Sequence, residues 1–198
     1  MSPADSVEAL HRQIAACRVC EAALGFTPRP VAQFSATSRI LIIGQAPGSK
    51  VHASGIPWDD KSGERLCEWT GLSNDQLHDP ALVAIVPMGF CYPGKASGGD
   101  KPPRPECAPL WHERVLAMLP EDRLTLLVGT YAQKHYLPET RQQTMAERIA
   151  NWRAFGDTIP LPHPSWRSTM FMRKHAWFEA ELVPEVQPAD LEPGGAGV

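Results

Sequence analysis

Two polar turns and four cysteines supply the side chains from which this chain could build a site. The first turn is Gly44-Gln45-Ala46-Pro47-Gly48, which follows four branched aliphatics, Ile40-Leu41-Ile42-Ile43. Its glycines let the backbone approach a ligand closely or take positive φ, Pro47 stiffens it, and the Gln45 amide both donates and accepts hydrogen bonds. The second turn, His163-Pro164-Ser165, offers an imidazole and a hydroxyl; on its own it also reads as a surface histidine in a proline turn. Cys17 and Cys20 form a C-x2-C pair, and Cys91 and Cys107 bracket a loop rich in glycine and proline. Four thiolates held by rigid turns suit a [4Fe-4S] cluster or a tetrahedral zinc. The alternative is that Cys17 and Cys20 lie on an amphipathic helix and Cys91 ends a strand as a small hydrophobe. Cys67, within Arg65-Leu66-Cys67-Glu68-Trp69, reads as an ordinary half-buried helix residue.

The elements that must position these groups follow from hydrophobic periodicity. Apolar runs at Ile40–Ile43, Ala81–Val86, Leu124–Gly129 and Thr158–Leu161 predict four strands. Between them, helices are expected at Ser6–Ala16, Gly63–Thr70 with Ser62 as N-cap, Pro109–Leu119, Thr130–Tyr136, Thr144–Ala154 and Phe171–Leu182. Residues 49–55 read as a loop, and 25–38 as an extended segment. Strands that are continuous apolar runs, alternating with helices, imply an α/β fold with a mostly parallel sheet and helices on both faces. In such a sheet ligands bind at the carboxyl ends of the strands. The turns after the first and fourth strands therefore come to one cleft.

At 198 residues and 43% hydrophobic content, one core and one domain are expected, spanning residues 1–186, with a proline- and glycine-rich tail at 187–198 expected to be disordered. No run of about 18 apolar residues offers a membrane span. Met1-Ser2-Pro3-Ala4-Asp5 lacks the basic and apolar regions of a signal peptide, so a cytoplasmic location is expected. A net charge of −3 argues against a broadly basic nucleic-acid binder while leaving room for a local basic face. Arg167, Arg173 and Lys174, close to the second turn, would provide one.

A strand ending in G-Q-A-P-G, a G-x-P-aromatic segment ending at Trp58, paired cysteines at the N-terminus and in a mid-chain loop, and a final H-P-S before a helix occur here in a fixed order. That order resembles the uracil-DNA glycosylase superfamily, nearest its iron-sulfur-containing family 4 branch, over roughly Cys17 to Val183. The resemblance implies a three-layer α/β/α sandwich around a four-stranded parallel sheet. It also implies a DNA repair hydrolase of base excision that flips uracil, or a related deaminated base, out of DNA and leaves an abasic site. A monomer acting on uracil-containing DNA is expected.

Carried onto this sequence, the resemblance places Gly44, Gln45, Ala46, Pro47 and Gly48 against the extruded base and the scissile bond, with Gly48 at the DNA backbone. Trp58 stands where family 4 has a phenylalanine that stacks on the base. His163 faces the uracil O2, where a fixed donor stabilises the charge that builds on the leaving base. Ser165 grips a flanking phosphate, and Arg167 and Ser168 lie in the loop that enters the duplex. Cys17, Cys20, Cys91 and Cys107 match the [4Fe-4S] ligands.

Two departures bear on mechanism. Family 4 has glutamate where this chain has Gln45, and other branches have aspartate or asparagine where it has Ala46, so the first turn carries no carboxylate to activate water. Asp59 or Asp60 is the expected substitute, one of the pair facing solvent, with Gln45 positioning the water. An asparagine that reads the base edge in family 4 is missing from Val86-Pro87-Met88-Gly89-Phe90, so backbone groups of Met88 and Gly89 are expected to take that role. Two functional classes follow: a monofunctional glycosylase, or a module of the same fold that binds uracil-containing DNA with little or no turnover.

Overall fold

The computed structural model describes residues 6–187. Their chain order is α1 (Val7–Ala15), α2 (Glu21–Leu24), β1 (Ile40–Ile43), α3 (Ser49–Ser54), α4 (Lys61–Thr70), α5 (Asn74–Leu77), β2 (Val83–Ile85), β3 (Lys95–Ala96), β4 (Gly99–Asp100), α6 (Cys107–Leu116), β5 (Leu124–Val128), α7 (Thr130–Tyr136), α8 (Met145–Ala150), β6 (Thr158–Leu161), α9 (Ser168–Lys174) and α10 (Val183–Glu185). Short 3-10 turns at Pro138–Thr140 and Trp152–Phe155 flank α8, and a π-helical turn at Phe178–Leu182 precedes α10.

The central sheet has four parallel strands in the order β2-β1-β5-β6. Alternate residues of its strands feed two separate cores. Leu41, Ile43, Ala84 and Leu127 pack with Leu10 and Ile14 of α1 and Trp111 and Val115 of α6. Ile40, Ile42, Val83, Ile85, Leu126 and Val128 pack instead with Leu66 and Trp69 of α4, Ile149 of α8 and Phe178. A strand buried on both faces has no polar alternate, which is why each read as a continuous apolar run. The expected three-layer α/β/α sandwich is thus the observed one.

The edges are protected by different means. Beside β2, Gln33 and Ile85 exchange backbone hydrogen bonds of 3.0 and 2.6 Å, so the extended segment of residues 25–38 closes that side. At the other side β6 carries Pro160, a residue that an edge strand tolerates because one of its N–H rows has no strand to bond.

Several expectations change at element ends. Residues 49–54 form helix α3 rather than a loop; only Val51 of them is buried, so no apolar repeat marked the helix. The N-cap of α4 is Asp60, not Ser62, because the Asp60 carboxylate reaches the Ser62 and Gly63 amides at 2.8 and 3.1 Å. The helices expected at Thr144–Ala154 and Phe171–Leu182 each break in two, at Asn151 and after Lys174. The tail expected from residue 187 lies outside the described residues except for Gln187, whose side-chain amide donates to the Trp69 carbonyl at 3.5 Å. Among the described residues no helix is long and apolar enough to cross a membrane.

A buried polar chain fixes the exit of β6. Gln133 of α7 donates its amide to the carbonyls of Leu127 and Leu161, at 3.2 and 2.7 Å, clamping the ends of β5 and β6 together. The fully buried Arg148 holds the Gln133 Oε1 at 3.1 Å and bonds the Thr140 hydroxyl and carbonyl and the Gln143 carbonyl. Buried donors and acceptors satisfied in this way stiffen the framework. Immediately after Leu161 come Pro162 and His163.

Candidate active site

A cavity of about 670 Å³ opens at the carboxyl ends of β1 and β6. Gly44, Gln45, Ala46, Pro47 and Gly48 form one wall of it, and Trp58, Asp60, His163, Ser165 and Arg167 line others. The two turns, well over a hundred residues apart in the chain, therefore face one space.

Trp58 is held with φ +58°, the only positive φ of a non-glycine residue among those described. Such a conformation costs an aromatic residue of order 1–3 kcal/mol and persists only where the surroundings enforce it. They do so through two glycines. A Cβ on Gly63 would stand 1.9 Å from the Trp58 carbonyl oxygen, and one on Gly44 would stand 3.0 Å from the indole ring. A bond of 2.8 Å from the Asp60 amide to the Trp58 carbonyl closes the turn. The indole ends 5.8 Å from the His163 ring, centroid to centroid, tilted by 39°.

Of the two aspartates after Trp58, Asp60 lines the cavity and Asp59 is exposed away from it. Asp60 Oδ1 accepts the two amides at the start of α4, and Oδ2 has no hydrogen-bond partner among the described residues. His163 sits close against Gly129, where a Cβ would lie 3.6 Å from its own, and its carbonyl accepts the Ser165 amide at 2.8 Å. Burial lowers the His163 pKa, and the Asp60 charge offsets part of that shift. The imidazole is therefore neutral at physiological pH and can donate one N–H.

Met88 and Gly89 stand behind the first turn rather than in the cavity wall. Their amides donate to the Gly44 and Gln45 carbonyls, at 2.9 and 3.0 Å, and so brace that turn. Pro87, just before them, does line the cavity. Its carbonyl accepts from His112 at 3.0 Å, and the Tyr136 hydroxyl bonds the other ring nitrogen of His112 at 2.6 Å. Burial pushes the His112 pKa down to about 4.

Ser168 is buried, and its Oγ donates to the Ser165 carbonyl at 2.7 Å, so it ties the loop from within. Arg167 is exposed, reaches the Gly98 carbonyl at 3.4 Å, and stands 5.5 Å over the Trp166 ring. Trp166, 75% exposed, is the most exposed large apolar side chain described and was not foreseen. A lone tryptophan in a turn has no periodicity to reveal it. The β3–β4 hairpin was also missed, although Ser97-Gly98-Gly99 is a turn signal. Ala96, Ser97, Gly98, Gly99 and Asp100 close one side of the cavity.

The four cysteines converge elsewhere. Cys17, Cys20, Cys91 and Cys107 line one small void whose other walls are Pro28, Pro30, Phe90 and Trp111. Burial, reinforced by the neighbouring sulfurs, pushes the Cys91 thiol up to about 12 and the Cys107 thiol to about 11. Among the described residues no group of three or more His, Cys, Asp or Glu side chains is arranged to hold a metal ion. Cys67 lies apart from these on α4, half-buried.

A DNA glycosylase needs an aromatic wall for an extrahelical base, a fixed donor for the leaving group and exposed groups for the duplex. The cavity brings residues of those types together. A family model described as the uracil DNA glycosylase superfamily matches residues 31–187, from the segment that edges β2 to the end of α10. The fold, the cavity at the strand ends and this match agree that the chain belongs to the uracil DNA glycosylase superfamily.

Proposed function

We propose that this protein is a monofunctional glycosylase that hydrolyses the N-glycosidic bond of uracil, or of a related deaminated base, in DNA. The observation that carries the reading is that Gln45, Trp58, Asp60 and His163 wall a single cavity at the strand ends. The flipped base stacks on Trp58, and His163 donates its N–H to the base O2 as the bond from C1′ to N1 breaks and the electron pair leaves with uracil. Gln45 positions a water below C1′. Asp60 Oδ2 accepts a proton from it as the new C–O bond forms, and the uracil anion is protonated from solvent on release. Asp59, exposed and outside the cavity, takes no part.

Base-edge contacts fall to the Gln45 amide, since the Met88 and Gly89 amides already have partners, Pro87 has no N–H and its carbonyl accepts from His112. Gly48 and Ser165 face the phosphates beside the flipped nucleotide, and Arg167 with Trp166 enters the duplex. No lysine lines the cavity among the described residues, so no amine is placed to attack the sugar and strand cleavage is not expected.

Cys17, Cys20, Cys91 and Cys107 are the residues that would hold a [4Fe-4S] cluster. The fit rests on four thiols reaching one void with apolar walls, a donor set suited to iron-sulfur chemistry. Four thiolates also suit a tetrahedral zinc, and the absorption spectrum separates the two. The cluster would staple the N-terminal segment to α6 and stand outside the chemistry. A broad visible absorption that bleaches on reduction is the expected signature; colourless protein with stoichiometric zinc, or with no metal, would contradict it.

The missing carboxylate in Gly44–Gly48 favours one second reading, a module that binds uracil-containing DNA without turnover. A gel assay on oligonucleotides carrying one uracil, duplex and single-stranded, separates the two. Alkali-labile product is expected; a retarded complex without product would establish the binder.

A further inference from the structure

The cavity is assembled from two pieces that the sheet alone does not hold together. Trp58 and Asp60 precede α4, whereas His163 and Ser165 follow β6 at the far edge of the sheet from β2. Arg65, one turn and a half along α4 from Asp60, spans the gap. Its Nη1 donates to the Ser165 carbonyl at 3.0 Å and to the Ser168 and Thr169 hydroxyls at 3.2 Å each. Two hydrogens on Nη1 serve three acceptors, so one bond is shared. The Ser165 carbonyl also accepts from Ser168 Oγ, and the Ser165 amide binds the His163 carbonyl, which makes the turn after β6 rigid up to the imidazole.

We infer that Arg65 is a positioning residue that latches α4 to the His163–Ser165 turn and so sets the distance between the Trp58 wall and the His163 donor. Arg65 is absent from the cavity wall, so it acts through these two residues and not on the base. All three bonds leave one nitrogen that the planar guanidinium holds in a fixed orientation, whereas a lysine places its single ammonium on a flexible four-carbon stem. A misplacement of about 1 Å at a reacting group can cost on the order of 10²-fold in rate.

This inference rests on the glycosylase reading. The test is single-turnover uracil release from a duplex oligonucleotide at saturating protein, comparing wild type with Arg65→Met and Arg65→Lys, each normalised to its active fraction. Arg65→Met is expected to lose about 10²-fold in the saturated rate while DNA affinity changes less than about 3-fold, and Arg65→Lys to fall between. Opening the latch also exposes His163 to water, so the acid limb of the pH–rate profile should move to higher pH in Arg65→Met. An unchanged saturated rate per active molecule would overturn the inference. So would a loss confined to DNA affinity with a shallower salt dependence, which marks a phosphate contact. No release of uracil by wild type would instead be the failure of the glycosylase reading itself.

Discussion

In the proposed reaction, His163 is the residue on which the chemistry turns. If its N–H stabilises the leaving base, His163→Ala should lose on the order of 10²- to 10³-fold in the single-turnover rate with little change in DNA affinity. The pH dependence follows from the direction of its shift. Burial lowers the His163 pKa, the neutral form is the donor wanted, and activity should hold through the range where an ordinary histidine charges, near 6.5, and fall only at lower pH. An acid limb at or above 6.5 would contradict a buried neutral imidazole. Trp58 is argued from its strained backbone. Gly63→Ala forces a Cβ into the Trp58 carbonyl, so it should disturb both the wall and the start of α4, raising KM and lowering kcat together. The base-binding role of Trp58 fails if Gly63→Ala lowers stability alone and leaves the kinetics intact.

At the level of elements, the site depends on how β6 ends. Gln133 clamps the carbonyls of Leu127 and Leu161, and Arg148 holds Gln133 from behind. Gln133→Met should cost about 2–4 kcal/mol, measured by urea unfolding, because it leaves a buried guanidinium and two strand carbonyls short of partners. A cost below about 1 kcal/mol would show the clamp to be dispensable. The strands and their parallel arrangement were legible in the sequence because a strand buried on both faces leaves an unbroken apolar run, as in Ile40–Ile43. The convergence of Gln45 and His163 followed from topology alone. What escaped lacked a periodic signature. Helix α3 buries only Val51, the β3–β4 hairpin is exposed throughout, Trp166 is a lone exposed side chain in a turn, and Arg65 acts through contacts with a segment distant along the chain. Which aspartate faces the cavity was likewise undecided until the cap of α4 fixed Asp60.

Across the whole molecule, two separate centres share one sandwich: the cavity at the strand ends, and the cysteine void between the N-terminal segment and α6. The family match begins at residue 31, so Cys17 and Cys20 lie ahead of the matched stretch and Cys91 and Cys107 within it. Global stability carries its own pH signature through His112. Its pKa is near 6.5 unfolded and about 4 folded, so the unfolded chain takes up the proton first. Stability is full above 6.5 and falls by up to about 3 kcal/mol as pH drops toward 4. Urea unfolding at several pH values should show that fall, and His112→Gln should remove it; a fall of equal size in the variant would assign it to other groups. The proposed release of uracil by hydrolysis in the cavity of Trp58, Asp60 and His163 is tested most directly by single-turnover release of free uracil from a duplex oligonucleotide by wild type, Asp60→Asn and His163→Ala. Wild type should convert the substrate to an alkali-labile abasic product and both variants should be slower by at least about 10²-fold. Bound but intact uracil-DNA with wild type, or variants as fast as wild type, would contradict it.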